Sequence, residues 1–270
     1  MMIEKYNNMI KLSHEVPLGL LPWSKTVNDY EYILPYFYHR HPEYKDFYLK
    51  CKEEGRFSIL DNGLFEGETY TNDVLLGWIN ELNPNIFIVP DEWNDFQRTY
   101  DHAREWAELK PNLPKDTNLM VVLQGETLTE MKLLYKLCYD LGYRHFALNH
   151  SSVAYNHIYP HKNPLVSKMM GRIMAIDAMQ GKFRNDDVYI HLLGCSLPQE
   201  FMYYKGYNQI KSIDTSNPIL VGINKEIYED FGLLSKPKHK IETYFEQDMM
   251  PYMNYITENV RKFRKLVNGI

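Results

Sequence analysis

The sequence predicts an α/β fold, and within that class a (β/α)8 TIM barrel built as a single domain over residues 1–270. Three observations carry this expectation. A barrel of this kind uses about 250 residues in one domain, close to the 270 present. Short apolar runs recur along the chain, and they are continuous rather than alternating, the pattern of strands buried on both faces of a parallel sheet. Between the runs lie segments whose apolar residues return at helical spacing. A doubly wound parallel sheet is the alternative that the same alternation allows.

In order, the expected strands are FSIL (57–60), IFIV (86–89), LMVVL (119–123), HFAL (145–148), VYIHLL (188–193), IKSI (210–213) and ILVGI (219–223). A weaker strand near Met9–Ser13 brings the count to eight, the number a barrel needs. The connection from IKSI to ILVGI is too short for a full helix. Leu75, Trp78, Ile79 and Leu82 form the apolar stripe of one helix. Thr127 and Glu130 read as a capping box, followed by Leu128, Met131, Leu134, Cys138 and Leu141 on one face before Gly142 ends the helix. Asn163-Pro164 marks the start of another helix, with Met169, Met170, Ile173 and Met174 as core filler. Met253, Ile256, Val260, Phe263 and Val267 form the packing face of the last.

With 44% hydrophobic and 14% aromatic residues, the chain has ample apolar area to offset its conformational entropy, which excludes a disordered chain. No stretch approaches the roughly 18 apolar residues of a membrane span, and MMIEKYNNMIKLSHE lacks the basic start and apolar run of a secretory signal. Cys51, Cys138 and Cys195 are too far apart for a zinc knuckle or a small disulfide framework, so free thiols and no metal site are expected. A cytoplasmic location with no membrane contact is the expectation from these features. The net charge of −5 gives no global attraction to nucleic acid and leaves a local basic groove open.

Barrel chemistry sits where strands end. FSIL is followed by Asp61-Asn62-Gly63, IFIV by Pro90-Asp91-Glu92, LMVVL by Gln124-Gly125, HFAL by Asn149-His150, VYIHLL by Gly194-Cys195, and IKSI by Asp214. These carboxylates and amides are expected to converge on one cavity.

In this order the same residues resemble the tRNA-guanine transglycosylase family, whose enzymes exchange a guanine base for a 7-deazaguanine on a (β/α)8 barrel. SILDNGLFEG (58–67) resembles the family's T-D-S-G-G-F-Q segment, VPDEW (89–93) its D-E-C segment, and VLQGE (122–126) its V-Q-G-G segment. HLLGCSLPQEF (191–201) is similar to L-M-G-V-G-x-P, and IDTSNP (213–218) to F-D-C-V-x-P. The resemblance implies Asp214 as nucleophile, Asp61 as a second catalytic carboxylate, and Asp91, Gln124, Asn149 and Gly194 as base-binding residues. It implies no cofactor, and nucleic acid and a free 7-deazaguanine-type base as partners. A carboxylate nucleophile splits base exchange into two displacements through a covalent sugar–enzyme intermediate. A buried carboxylate and an amide can match the donors and acceptors of a guanine edge. The target base of a duplex has to leave the stack to be reached.

The departures from the family pattern are specific. The family's zinc-binding insertion of three cysteines and a histidine is absent. Asn62 stands for its serine, Leu64 and Glu66 for its glycine and glutamine, and Thr215-Ser216-Asn217 for its basic tract. Compact relatives that insert 7-deazaguanines into DNA, in bacteria and their phages, are similar in these respects. DNA is therefore the expected polymer, with tRNA as the alternative. A non-catalytic base-binding or partner subunit and a nucleoside or glycoside hydrolase are the competing classes, and a homo- or hetero-oligomer is compatible with each.

Three further segments are noted. His150, His157 and His161 in HSSVAYNHIYPH have no standard metal spacing and read as a loop. Tyr30, Tyr32, Tyr36, Phe37, Tyr38 and His39-Arg40-His41 form an aromatic packing segment, with base stacking as the alternative. Lys236, Lys238, His239 and Lys240 form a basic patch, either a solvated loop or a contact for a phosphate backbone.

Overall fold

The computed structural model describes residues 9–269. The first eight residues of the N-terminal segment tested for a signal lie outside them. The strands are β1 (Lys11–Ser13), β2 (Glu31–Ile33), β3 (Ser58–Leu60), β4 (Ile86–Ile88), β5 (Asn118–Val122), β6 (His145–Asn149), β7 (Tyr189–Leu193) and β8 (Ile210–Asp214). The helices are α1 (Leu21–Val27), α2 (Pro35–Arg40), α3 (Pro42–Glu53), α4 (Asn72–Leu82), α5 (Phe96–Leu109), α6 (Leu128–Asp140), α7 (Val153–Ile158), α8 (Pro164–Asp186), α9 (Asn217–Ile223) and α10 (Met253–Asn268). The eight strands form one sheet in the order β1-β8-β7-β6-β5-β4-β3-β2. The first strand is parallel to the last, with Ser13 opposite Asp214. That neighbour relation belongs to a (β/α)8 barrel and not to a doubly wound sheet. The fold is the expected (β/α)8 α/β fold.

The chain groups into two compact units, one of residues Tyr30–Leu148 with Ser152–Ala154, the other of the remainder. In the first, β2 to β6 run parallel in sequence order. Their outward side chains pack on the helices: Trp106 of α5 lies 4.7 Å from Phe87, and Tyr135 of α6 lies 4.7 Å from Phe146, ring centre to ring centre. Burying rings of this size supplies much of a core's apolar stabilisation. α6 begins with the capping box, Thr127 accepting from the Glu130 N–H and Glu130 from the Thr127 N–H.

In the second unit, β7 and β1 flank β8. Here α9 packs on α10 so closely that a Cβ on Gly222 would lie 2.6 Å from Cγ1 of Ile256. α8 starts at Asn163, whose side chain accepts from the Leu165 N–H, as the Asn-Pro signal predicts. Met169 is buried on it, whereas Met174 is exposed, because the core face runs through Arg172, Ile176, Met179 and Phe183 instead.

Two expected elements differ. ILVGI is not a strand but the body of α9, all seven of whose residues are buried. A run buried on every side has no period, so it reads alike as strand or helix. Thr215 Oγ1 accepting from the Asn217 N–H, with Pro218 beside it, starts the helix. The eighth strand is instead β2, Glu-Tyr-Ile, within the segment read as aromatic packing. Tyr30, Tyr32, Phe37 and Tyr38 of that segment are buried, so packing is their role. The segment read as a histidine loop contains a short helix, α7.

Candidate functional site

All six predicted site residues lie at the C-terminal ends of strands. Asp61 follows β3, Asp91 follows β4 by three residues, Gln124 follows β5 by two, and Gly194 follows β7 by one. Asn149 and Asp214 are the last residues of β6 and β8. Asp61, Asp91, Gln124, Asn149 and Asp214 are all buried.

Within the first unit the structure brings Asp61, Asp91 and Gln124 together. Asp91 accepts one amide hydrogen on each carboxylate oxygen, from Asn62 Nδ2 at 2.7 Å and from Gln124 Nε2 at 2.6 Å. Both amides are held at their other end by backbone: Leu64 N–H donates to Asn62 Oδ1, and Asn94 N–H to Gln124 Oε1. Asn62 Nδ2 also donates to the Val89 carbonyl at 2.9 Å, and neither amide can turn over without losing its bonds. Burial first, opposed by the two amide hydrogen bonds and aided by the charges of Asp61 and Glu92, pushes the Asp91 carboxyl up to about 7. Asp91 is thus a carboxyl that changes charge near neutrality, the range suited to proton transfer or to switching between donor and acceptor. Asn62 belongs to the strand-end set that the sequence reading gathers, but its role as a partner of Asp91 is not picked out there. Phe65 and Trp93, close in the chain to Asn62 and Asp91, expose 46% and 36% of their surface.

Within the second unit, Asp214 and Gly194 meet. Asp214 Oδ1 lies 2.9 Å from His191 Nε2 and accepts a long bond from the Gly194 N–H at 3.4 Å. The residues that follow this carboxylate start α9: Thr215 Oγ1 accepts from the Asn217 N–H, and Asn217 Oδ1 accepts from the Tyr228 hydroxyl. His191 escapes the sequence reading because it lies inside an apolar run and looks there like a core residue.

The turn carrying Gly194 is fixed from below. Arg172 of α8 donates to the carbonyls of Leu193 and Gly194 at 2.9 and 3.1 Å and makes a two-pronged ion pair with Glu200, both side chains fully buried. Gly194 has φ +62°, and a Cβ there would lie 2.5 Å from His150 Nδ1, so the position needs glycine on two counts. Burial, with Lys236, Arg172 and Lys168 nearby, holds His150 well below the usual histidine pKa and therefore neutral. Lys236 of the basic patch turns inward, its Nζ donating to the Cys195 carbonyl at 3.1 Å, while Lys238 and Lys240 are exposed. Asn149 accepts from the Tyr155 hydroxyl through its backbone carbonyl.

The three cysteines are buried free thiols, on α3, on α6 and after β7. Among the described residues no three His, Cys, Asp or Glu side chains form a group fit to hold a metal ion. No helix of the described residues is long and apolar enough to cross a membrane.

No family model matches the chain, and no curated protein does. Among the solved structures to which the chain is similar are the following two. The Amycolatopsis orientalis BexX/CysO complex matches 96% of this chain and 88% of its own at 8% identity, with a TM-score of 0.51. A mandelate racemase/muconate lactonizing enzyme-like protein from Rubrobacter xylanophilus matches 77% of this chain at 12% identity, with a TM-score of 0.49. The chain spans about half of that protein's length, 53%. Neither is described as a transglycosylase. At such identity the BexX/CysO match speaks to the fold alone.

Proposed function

We propose that this chain is an enzyme, a base-exchange glycosyltransferase that replaces guanine in nucleic acid with a 7-deazaguanine-type base, DNA being the favoured polymer. The observation that carries the reading is Asp214: a buried carboxylate at the end of a barrel strand, one oxygen held by His191 and Gly194, in a segment resembling the family's nucleophile motif. A carboxylate so fixed is suited to attack an anomeric carbon.

In this reading an Asp214 oxygen bonds to C1′ as the C1′–N9 bond breaks, and the electron pair leaves with guanine, which takes a proton from Asp61. The incoming base then gives its ring N–H proton to Asp61 as its nitrogen attacks C1′ and the Asp214 oxygen departs. Asp91 accepts from the N–H groups of the guanine edge. Gln124 acts by holding Asp91, since its amide nitrogen and oxygen are engaged by Asp91 and Asn94. The exposed rings of Phe65 and Trp93 offer faces on which an unstacked base can lie.

That engagement of Gln124 also favours a second reading, a nucleoside hydrolase on the same carboxylates, because fewer groups remain to select an incoming base. One experiment separates the two. The protein is incubated with tritiated guanine and double-stranded DNA or bulk tRNA. Label entering the polymer supports exchange, and the polymer that takes it identifies the substrate. Release of guanine without incorporation supports hydrolysis. Neither incorporation nor release with either polymer overturns both readings.

A further inference from the structure

β7 and β8 line up four polar side chains. Tyr189 and His191 are two residues apart on one strand, and Ser212 and Asp214 two apart on the other, so each pair points to one side of the sheet. The register sets His191 opposite Ser212 and Leu193 opposite Asp214. The Tyr189 hydroxyl donates to Ser212 Oγ at 2.8 Å, Ser212 Oγ lies 2.7 Å from His191 Nδ1, and His191 Nε2 lies 2.9 Å from Asp214 Oδ1. Ser212 and His191 are fully buried.

The direction of this chain follows from its first bond. Ser212 accepts the Tyr189 proton, which leaves its single hydroxyl hydrogen for the nearest acceptor, Nδ1 of His191. The ring proton then sits on Nε2, facing the carboxylate. A carboxylate otherwise turns in a broad torsional well about its last bond, and a donor on one oxygen fixes where the other points.

We propose that His191 is a positioning residue for Asp214, with Tyr189 and Ser212 setting its tautomer. The proposal rests on the reading of Asp214 as nucleophile. The Nε2–H of His191 holds Oδ1, so that the second oxygen is presented to the anomeric carbon. The same N–H stays on Oδ1 when that atom becomes the carbonyl oxygen of the sugar ester. A neutral donor orients the carboxylate without placing a full positive charge beside the attacking group.

The test has two arms. In the first, 15N spectra of histidine-labelled protein report the His191 ring without any substrate. The Nε2–H form is expected at neutral pH in the wild type, with a mixture of tautomers in Ser212→Ala. An Nδ1–H or doubly protonated ring in the wild type overturns the proposal. In the second arm, formation of the covalent adduct with double-stranded DNA and affinity for guanine are measured separately. His191→Leu is expected to slow the adduct about a hundredfold, the scale of a small misplacement of reacting groups, with guanine affinity unchanged. His191→Gln carries an N–H that reaches the Nε2 position and should recover most of the rate, which a merely structural role does not predict. Should His191→Leu fail to fold, Ser212→Ala keeps the test open, with slower adduct formation and unchanged guanine affinity. An adduct rate in His191→Leu or Ser212→Ala equal to wild type refutes the positioning role. An adduct in Asp214→Asn refutes the underlying nucleophile reading instead.

Discussion

Gln124 Nε2 donates to Asp91 Oδ2 at 2.6 Å, so two residues expected to read a base separately are first of all partners of each other. With Asn62 on the other oxygen, Asp91 faces two donors whose own oxygens are pinned by backbone N–H groups. The site accepts only a group with two acceptors in this place.

Asp91→Asn should therefore be destabilising although it removes a buried charge. Its new NH2 group faces an amide NH2 that cannot turn over, and a lost buried hydrogen bond of this kind costs about 1–3 kcal/mol. Adding Gln124→Glu restores the match, because the new carboxylate accepts both from the amide introduced at position 91 and from the Asn94 N–H. Chemical denaturation of both single variants and the double variant measures the coupling. A double variant no more stable than the sum of the single effects contradicts the hydrogen-bond polarity described.

The raised carboxyl of Asp91 gives two opposite pH trends. Its value of about 7 lies above that of an unfolded aspartate, 3.8. The protonated form is thus favoured by folding, and the stability it contributes is complete below the unfolded value and lost as pH rises through about 7. A guanine edge donates hydrogens and needs the ionised form, so affinity for guanine should rise over the same interval. Calorimetric titration of guanine, alongside thermal unfolding across neutrality, checks both signs.

His14 tests the same logic with the sign reversed. It follows β1 and is buried against Phe263, where neither ring nitrogen makes a well-formed hydrogen bond among the described residues, although the Thr215 backbone comes near enough to favour its charged form. Burial, then the charge of Arg264, lowers its pKa to about 4. Stability should fall as pH drops from the unfolded value of 6.5 through about 4, since the unfolded chain takes up the proton first. His14→Met, similar in volume, should remove that part of the acid transition. At neutral pH it should add about 1–3 kcal/mol, the cost of leaving polar atoms unpaired. An unchanged acid limb in the variant would show that other groups cause it.

The fold is legible in the sequence because parallel strands advertise themselves: five-residue runs such as Asn118–Val122 are almost wholly apolar, and the capping box of α6 states its own start. The short elements are not. β2 is three residues inside an aromatic segment, and α9 is buried all round, so neither shows a period. Strand-end position locates the carboxylates, but their partners are hidden for a physical reason. His191 and Ser212 face one another across two strands, and Asn62 reaches Asp91 across 29 residues. Such pairings depend on register, which one sequence does not display.

The buried pair of Arg172 and Glu200 makes a further test. Glu200→Gln leaves the guanidinium uncompensated, and breaking one side of a buried ion pair costs about 3–5 kcal/mol. The same guanidinium holds the carbonyls of Leu193 and Gly194, so the turn that reaches Asp214 should loosen as well. Hydrogen exchange at the Gly194 amide, compared with amides of α4, separates local loosening from global loss. Equal acceleration at both places points to global destabilisation alone.

Asp61→Asn separates the role of acid from that of nucleophile, which the resemblance gives to Asp61 and Asp214. Asp61 is buried, and its charge helps to raise Asp91, after burial itself. An uncharged asparagine should move the midpoint of guanine affinity to lower pH, because the ionised form of Asp91 becomes easier to reach. It should also slow base exchange, since an amide passes no proton to a departing base. The covalent adduct should still form with a substrate whose leaving base needs no proton, and its modified peptide should contain Asp214. An adduct mapped to Asp61 in the wild type, or one abolished in Asp61→Asn while Asp214→Asn retains it, would reverse the assignment of nucleophile and acid.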